Sequence, residues 1–294
     1  MSSAKDTLLL FLIRTLRTYT RHTPFERGRF RLTSLLYQMT KQLSKEHRLV
    51  ITARDGRHFS INPSDPQYHM GLLDGGVFES EETQVVRDSV FAGQVAIDAG
   101  ANYGWYTTLL SRLVGPTGAV HAFEAMPSTT GTLRNNCTLN GCHNVIINQC
   151  ALGDHVGTTV IYDRPGGASG DASLFPLVPG KGQPFSCEMQ TLDNYFTQKG
   201  LSRCDFIKCD IEGAELLFLK GAGNVLKQHQ PTILLEINPS VLQRSGTNGV
   251  EILEEIRQHG KYMFLHPAGD SSKCIEPKDC KGLQSYINVL CHVC

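Results

Sequence analysis

The stretch Val95-Ala-Ile-Asp-Ala-Gly-Ala-Asn-Tyr-Gly104 decides the fold of this chain. Its apolar start predicts a buried β-strand and its two glycines predict a tight turn. Apolar residues at helical spacing from Trp105 to Leu113 predict a helix that follows. A strand, a glycine turn and a helix in this order bind nucleotide-like cofactors at the carboxyl end of a parallel strand. The dehydrogenase fingerprint would need glycine at positions 102 and 105, where Asn102 and Trp105 stand.

Acidic residues end the first two strands of this region. Asp98 ends the strand at 94–98, and Glu124 ends a second apolar stretch at 119–124. A carboxylate at the first position suits a ligand with an ammonium group and would repel a pyrophosphate. A carboxylate at the second position can accept hydrogen bonds from both hydroxyls of a ribose. The pair therefore predicts S-adenosylmethionine (SAM) as the cofactor, in preference to a helix cap at Asp98 and a surface acid at Glu124.

Strands and helices alternate along the core. The sequence predicts strands at 94–98, 119–124, 145–150, 204–210, 231–237 and 261–265, and helices at 103–113, 128–139, 191–199, 214–220 and 249–259. This alternation is typical of a doubly wound, mostly parallel α/β sheet.

The sequence also predicts how the chain is divided. Residues 1–60 form a basic helical N-terminal extension or cap, with helices at 5–22 and 31–44 and a short hairpin at 48–61 that turns at Asp55-Gly56. The main domain is expected over 61–294. Its insertion at 153–190 is rich in glycine and proline (Gly166, Gly167, Gly170, Pro176, Pro179 and Gly180), which is typical of a lid over a crevice.

Charge and hydropathy limit the partners. Lysine and arginine total 28, as do aspartate and glutamate, so no net field attracts nucleic acid. The first 60 residues are nevertheless clearly basic. Their first helix is either a packed cap, which we favour, or a peripheral contact with an anionic membrane. The apolar run at 8–13 is too short to span a bilayer and no cleavage site follows it, so we expect a cytoplasmic protein with reduced thiols.

A set of polar residues follows the later strands. Asp210 ends the strand at 204–210, with Lys208 on the same face of the sheet. Glu236 lies inside an apolar strand and Asn238 follows it, so all three oxygen-bearing side chains meet at one sheet edge. Asp210, Glu236 and Asn238 would hold a divalent cation through oxygen ligands, or would bind a hydroxylated substrate directly. His266, after the sixth strand, is a candidate general base.

Two further groups leave alternatives open. Glu79, before the first core strand, is either a pocket residue or an acid that stabilises a helix N-terminus. The same choice applies to Glu212, whereas we favour the helix-terminal role for Glu215. Cys274, Cys280 and Cys291-His-Val-Cys294 would bind zinc or remain free thiols, and we favour free thiols because a single Cys-x-x-Cys is a weak signal.

Four motifs together resemble the FkbM family of SAM-dependent methyltransferases. They are Asp98-Ala-Gly-Ala-Asn-Tyr-Gly104, Phe123-Glu124, Ala151-Leu152-Gly153 and Phe206-Ile-Lys-Cys-Asp-Ile-Glu-Gly-Ala-Glu215. The resemblance covers roughly 70–268 and leaves the tail at 269–294 uncovered. It implies a class I, Rossmann-like methyltransferase fold and, typically, O-methylation of a hydroxyl on a sugar, a glycan or a small secondary metabolite. In one departure, Ala125-Met126-Pro127 stands where the family usually has proline straight after the glutamate.

The resemblance also implies roles for single residues. The turn that contains Asp98, Gly100, Asn102, Tyr103 and Gly104 would hold the methionine end of SAM. Glu124 would take the ribose, Ala151 and Leu152 would lie beside the adenine, Glu79 falls within the region of resemblance, and Asp210 would face the methyl group.

The sequence therefore predicts methyl transfer, with Asp210, Glu236 and His266 as candidates to remove the acceptor's proton. A small-molecule or glycan acceptor is expected. Methylation of nucleic acid, steered by the basic N-terminus, is a less favoured alternative that salt-dependent binding would reveal. The first alternative is an NAD(P)- or nucleotide-sugar-dependent oxidoreductase, which the missing glycine at 105 disfavours. The second is a non-catalytic module that binds SAM or a membrane, which the intact acids at 98, 124 and 210 disfavour.

Overall fold

The computed structural model describes residues 4–22, 26–40, 42, 48–61, 76, 78–163, 172–176, 182–267 and 274–294. The helices are α1 (Ala4–His22), α2 (Glu26–Thr40), α3 (Ser80–Ser89), α4 (Trp105–Val114), α5 (Pro127–Leu139), α6 (Leu192–Lys199), α7 (Glu215–Lys220), α8 (Gly223–His229), α9 (Pro239–Ser245) and α10 (Gly249–Arg257). The strands are β1 (Leu49–Thr52), β2 (His58–Ile61), β3 (Val95–Ala99), β4 (Ala119–Phe123), β5 (Val145–Asn148), β6 (Ala151–Leu152), β7 (Gly157–Asp163), β8 (Gln183–Gln190), β9 (Phe206–Cys209), β10 (Thr232–Ile237), β11 (Tyr262–Leu265) and β12 (Ile287–Val293).

One large sheet organises the main domain. Among the described residues it has seven strands, in the order β11-β12-β10-β9-β3-β4-β5. Strands β3, β4, β5, β9 and β10 are parallel, and β12 is antiparallel to both of its neighbours. The connection order reverses at β3, where a doubly wound sheet opens its binding crevice. The predicted class I methyltransferase fold is confirmed by this order.

Strand β12 lies in the tail and was not among the predicted strands. It inserts between β10 and β11, with Leu235 opposite Val289 and Ile233 opposite Cys291. Val289 and Cys291 are fully buried there. The tail therefore completes the sheet, and it places Cys291 in the hydrophobic core, not at an exposed metal site.

The two faces of the sheet are both covered. Ala96, Phe206 and Leu234 belong to one hydrophobic cluster, which α4 covers, and Ile97 and Ile207 belong to a second cluster on the other face. Parallel strands that are buried on both faces read as continuous apolar runs, which is why their positions could be predicted from the sequence.

The predicted hairpin is present as β1 and β2, paired antiparallel around the turn at Asp55-Gly56. It is anchored by Arg57, a fully buried arginine. The Arg57 guanidinium donates to the Thr108 hydroxyl at 2.9 Å and to the main-chain carbonyl of Trp105, and it pairs with Asp55 at 2.8 Å. Because the hairpin shares its hydrophobic cluster with α4, it packs as part of the sheet's own core.

Helices α1 and α2 pack on the same cluster through Leu9, Ile13 and Leu36, which are buried. The other side of α1 leaves Leu8 and Phe11 exposed to solvent. In the part of the chain that the structure describes, no helix has the length and apolar character needed to cross a membrane.

The insertion carries a small sheet of its own in its described part. Strand β8 pairs antiparallel with β7 and parallel with β6. The short segment 172–176 joins this sheet, because Ser173 and Tyr162 exchange main-chain hydrogen bonds of 2.8 and 3.2 Å. Of the predicted lid residues, Gly166, Gly167, Gly170, Pro179 and Gly180 lie outside the described residues, and a role as a lid stays a prediction.

Candidate active site

The turn between β3 and α4 brings main chain close to the end of β9. Gly100 has a φ of 81°, and a Cβ placed on it would lie 1.8 Å from the main-chain oxygen of Asp210. Asn102 is also left-handed, with a φ of 49°. Gly104 precedes α4 at a φ of 95°, and a Cβ there would lie 2.7 Å from Leu133 Cδ1. Only glycine fits the close approach at position 100.

Glu124 is fixed by main-chain donors on both sides. Its Oε2 accepts a hydrogen bond from the Asn102 N–H at 2.9 Å, and its Oε1 accepts one from the Met126 N–H at 2.9 Å. Burial raises the pKa of Glu124 to about 7, although these N–H donors favour the ionised form. Glu124 thus ties the turn after β3 to the end of β4.

A cavity that is partly open to solvent lies at the carboxyl ends of β3, β4 and β9. Three of its lining side chains are central to the site: Asn102, Glu124 and Asp210. The complete lining is Gly100, Asn102, Phe123, Glu124, Ala125, Met126, Cys150, Ala151, Leu152, Ile161, Ala172, Ser173, Leu174, Asp210, Ile211, Glu212 and Ala214. The structure therefore brings six of the sequence-predicted site residues to one cavity: Gly100, Asn102, Glu124, Ala151, Leu152 and Asp210.

Asp98, Tyr103 and Gly104 are not among the residues that line this cavity. Asp98 is buried and pairs in register with Lys208 of β9, and its Oδ2 accepts a hydrogen bond from the Thr107 hydroxyl at 2.5 Å. Burial raises the pKa of Asp98 to about 6. The Tyr103 ring packs edge-on against Phe59, with the ring centroids 5.9 Å apart. These residues therefore support the turn without lining the cavity.

A second charged group surrounds Lys208, beside the cavity. Lys208 is 2% exposed, and its Nζ lies 3.3 Å from Asp210 Oδ2 and 5.2 Å from the centre of the Tyr106 ring. Burial alone would lower the pKa of Lys208, but the negative charges of Asp210, Glu79 and Glu236 outweigh it and raise this pKa. Lys208 is therefore a buried cation within a group of carboxylates.

Glu79 belongs to this second group. It has a left-handed φ of 44°, and its Oε2 accepts a hydrogen bond from the Tyr106 hydroxyl at 2.6 Å. Burial raises the pKa of Glu79, against the opposing charge of Lys208. A left-handed glutamate costs backbone energy, and such strain is found most often at functional sites.

Glu236 and Asn238 lie at the end of β10. The Asn238 amide donates to Glu236 Oε1 at 3.2 Å. Burial and the nearby charge of Asp210 raise the pKa of Glu236 to about 8. Glu215 plays a different part: its Oε1 accepts from the Gly213 N–H at 3.0 Å, so it holds the loop before α7.

A family model supplies an independent observation, since the Methyltransferase FkbM domain matches residues 98–263. The chain belongs to the FkbM family. The resemblance read from the sequence is confirmed by this match.

The chain is similar to several named methyltransferases. It is 28% identical to Methyltransferase 1 of Beauveria bassiana over 142 residues, and this aligned region covers 42% of this chain and 57% of that protein. It is 25% identical over 158 residues to the 31-O-demethyl-FK506 methyltransferase FkbM of Streptomyces tacrolimicus, which covers 44% of this chain and 59% of that protein. The chain thus matches less than two thirds of the length of these relatives. A solved structure, methyltransferase FkbM from Methylobacillus flagellatus KT, is 15% identical with a TM-score of 0.44 and covers 97% of this chain and 60% of that one.

The FkbM-type site contains no metal cluster within the described residues, because no group of three or more His, Cys, Asp or Glu side chains is placed to hold an ion. The expectation of a divalent cation at Asp210, Glu236 and Asn238 gains no support, and neither does the less favoured alternative of zinc in the tail. His266 follows β11, which β12 separates from β10. Neighbouring strands lie about 4.8 Å apart, so two strand spacings put His266 roughly 10 Å to the side of β10, the strand that carries Glu236.

Several residues of this FkbM-type site were not found from the sequence. Tyr106 contacts Glu79 across 27 positions, and Ser173 donates a 2.5 Å hydrogen bond to the main-chain oxygen of Glu212 across 39 positions. Asn288 of the tail donates to Glu82 at 2.8 Å. No local sequence pattern predicts such pairs, because the two partners lie far apart in the chain.

Proposed function

We propose that this chain transfers a methyl group from SAM to a hydroxyl on a sugar, a glycan or a small secondary metabolite. The observation that carries the proposal is the cavity at the strand ends, where Asn102, Glu124 and Asp210 converge from three adjacent strands. Family membership supports the same reaction class.

The residues present fit the cofactor. Asn102 Oδ1 is buried and has no hydrogen-bond partner among the described residues, so it is free to accept a hydrogen bond from a ligand. Glu124 is partly exposed to the cavity, and its hydrogen bonds to two main-chain N–H groups fix its orientation. A carboxylate that accepts hydrogen bonds from two ribose hydroxyls needs a fixed orientation of this kind. Ala151 and Leu152 offer a small apolar wall for an adenine ring.

SAM, when bound, supplies a methyl group that is already activated on a sulfonium. The protein's tasks are to align the acceptor oxygen with that methyl group and to accept the hydroxyl proton. Asp210 lines the cavity, and Glu236 lies beside it with a pKa raised to about 8, which makes its ionised form a stronger base than an ordinary carboxylate. We propose these two as the first candidates for the base, with His266 as the third.

The charge beside the cavity limits which chemical groups the methyl acceptor can carry. The carboxyl groups of Glu79 and Asp210 face the single ammonium of Lys208, and Glu236, whose pKa is raised to about 8, adds a further negative charge only above that pH. Carboxylates repel phosphate and carboxylate groups and accept hydrogen bonds from hydroxyls. This supports a hydroxyl-rich acceptor without a phosphate near the reacting group, and it disfavours nucleic acid.

The decisive experiment is calorimetric titration with SAM, S-adenosylhomocysteine and NADH, on the natural chain and on Glu124→Gln. We expect the first two ligands to bind and NADH not to bind. Glu124→Gln should weaken SAM at least about tenfold, which is 1.4 kcal/mol. Glu188→Gln, an exposed acid on β8, is the matched control and should bind SAM as the natural chain does. Binding of NADH alone would favour the oxidoreductase.

Turnover is then measured with labelled SAM against a panel of sugars, glycans and hydroxylated metabolites. Transfer of label to a hydroxyl supports the proposal. SAM binding without transfer to any hydroxylated compound would favour the non-catalytic module.

We also propose a peripheral contact between the basic N-terminus and an anionic membrane. Leu8, Phe11 and Tyr19 of α1 are 60%, 64% and 62% exposed, in a segment rich in arginine. Phe11→Ser should reduce co-sedimentation with phosphatidylserine vesicles, whereas Phe91→Ser, at an equally exposed phenylalanine elsewhere, should not. Equal effects of the two substitutions would remove the proposal.

A further inference from the structure

The carboxyl end of α5 carries two cysteines in a defined turn. The N–H of Cys142 donates to the carbonyl of Cys137 at 3.0 Å, and the N–H of Gly141 donates to the carbonyl of Thr138 at 3.1 Å. Gly141 is left-handed, with a φ of 63°. These two hydrogen bonds and the left-handed glycine define a Schellman motif, in which the side chains at the ends of the longer bond meet. Cys137 and Cys142 occupy those two positions.

The two thiols belong to one small hydrophobic cluster. Cys137 is buried with Ala101 and Leu133, and the partly exposed Cys142 packs against the same cluster. A hydrogen bond between the two side chains raises the pKa of Cys137 and lowers the pKa of Cys142 to about 7, with a further contribution from Ser111. Cys142 is therefore the accessible thiol with the larger thiolate fraction, and Cys137 is the thiol held beside it.

We propose that Cys137 and Cys142 are a modification site: they form a reversible disulfide that locks the carboxyl end of α5. The inference is independent of the methyl acceptor. It rests on the turn, which fixes the separation of the two main-chain segments, and on the hydrophobic cluster that the two side chains share.

The oxidation balances with hydrogen peroxide as the oxidant. The Cys142 thiolate attacks one peroxide oxygen and breaks the O–O bond, which gives a sulfenic acid at Cys142 and hydroxide that leaves as water. The Cys137 sulfur then attacks the sulfenic sulfur, its proton goes to the departing hydroxyl group, and a second water leaves. Two glutathione thiols reverse the reaction, with glutathione disulfide as the product.

Because of its location, this disulfide would also affect residues outside α5. Asn136, next to Cys137, donates to the main-chain oxygen of Tyr103 at 2.8 Å. Leu133 of the same helix limits the space at Gly104. The end of α5 thus supports the turn that lines the cavity, so a lock at Cys137 and Cys142 acts on the scaffold of that turn.

The test is disulfide mapping of the full chain after treatment with stoichiometric hydrogen peroxide, followed by alkylation, digestion and mass spectrometry without reduction. We expect the peptide pair that joins Cys137 to Cys142 as the first cross-link, and dithiothreitol should remove it. Cys150 and Cys187 serve as an internal comparison, because burial raises the pKa of both thiols, and they should remain alkylated. A first cross-link at any other pair, or none in the folded protein, would overturn the proposal.

A second measurement does not depend on mapping. The melting temperature of the oxidised natural chain should exceed that of the reduced chain by a few degrees, because the cross-link restricts the unfolded state. Cys142→Ser should lose this difference, whereas Cys294→Ser, at an exposed cysteine, should keep it. The proposal fails if peroxide shifts the melting temperature of Cys142→Ser as much as that of the natural chain.

Discussion

Gly100→Ala is the substitution that tests the architecture of the site most directly. Alanine at a φ of 81° costs about 1–2 kcal/mol in backbone energy alone. Its Cβ would also stand 1.8 Å from the main-chain oxygen of Asp210. That oxygen belongs to the end of β9 and cannot rotate away as a flexible side chain would, so the end of the strand must move by roughly 1.6 Å to reach ordinary contact.

The two costs can be separated with a matched glycine. Gly56 has a φ of 86°, and a Cβ placed there meets no atom of the described residues within 4 Å. Gly56→Ala should therefore show the backbone cost alone, about 1–2 kcal/mol. Gly100→Ala should lose about 3 kcal/mol or more, because a forced shift in a packed region adds about 1–3 kcal/mol.

The assay is urea unfolding followed by the fluorescence of Trp105, the single tryptophan, which lies at the start of α4 directly after the turn. Calorimetry on the folded fraction should show at least a tenfold loss of S-adenosylhomocysteine affinity for Gly100→Ala and none for Gly56→Ala. Equal losses of stability in the two variants would refute the close approach of the turn to β9, and with it the shape of the cavity.

Three further changes follow from the same site. Asn102→Gly should weaken S-adenosylhomocysteine about tenfold in calorimetry with little change in stability, because glycine accepts the left-handed φ of 49° and the lost oxygen has no partner among the described residues; unchanged affinity would remove Asn102 from the cofactor site. If Glu236 is the base, turnover should rise with pH through about 8, since its pKa is raised and only its ionised form accepts a proton; Glu236→Gln should abolish that rise, and an unchanged profile would leave Asp210 or His266. Ser173→Ala removes the hydrogen bond that ties the insertion to the Glu212 carbonyl, so stopped-flow release of S-adenosylhomocysteine should become several-fold faster; an equal rate would argue against a closing role for segment 172–176.

The sheet could be predicted where local pattern and burial agree. All six predicted core strands are present, because parallel strands covered on both faces read as apolar runs with clear ends. Strand β12 was missed for the opposite reason. Its sequence, Ile287-Asn-Val-Leu-Cys-His-Val293, follows a long stretch of turns, and its place between β10 and β11 depends on pairing with residues about 50 positions earlier in the chain. The cysteines at the chain end, for which free thiols were favoured over a zinc site, include Cys291 in this buried strand.

The site could be predicted in part, and the division has a physical cause. Sequence position gives the edge of the sheet at which a residue lies, since every parallel strand ends at the same edge. Glu124, Ala151, Leu152 and Asp210 follow their strands and therefore line the cavity at that edge. Asp98, in contrast, lies within β3 and does not follow the end of that strand. It is held in register with Lys208 and faces the helix, not the cavity.

This difference changes what the acid in the motif does. A carboxylate that binds the ammonium group of a ligand must point into the cavity that holds the ligand. Asp98 is buried against the Thr107 hydroxyl, and its pKa is raised to about 6. Lys208 opposes that rise, as it does for Glu79 and Glu236, so one buried ammonium influences the protonation of carboxylates on three separate segments. We therefore propose that the acid of the first strand supports the turn in this chain, and that a ligand would meet the turn's main chain and Asn102.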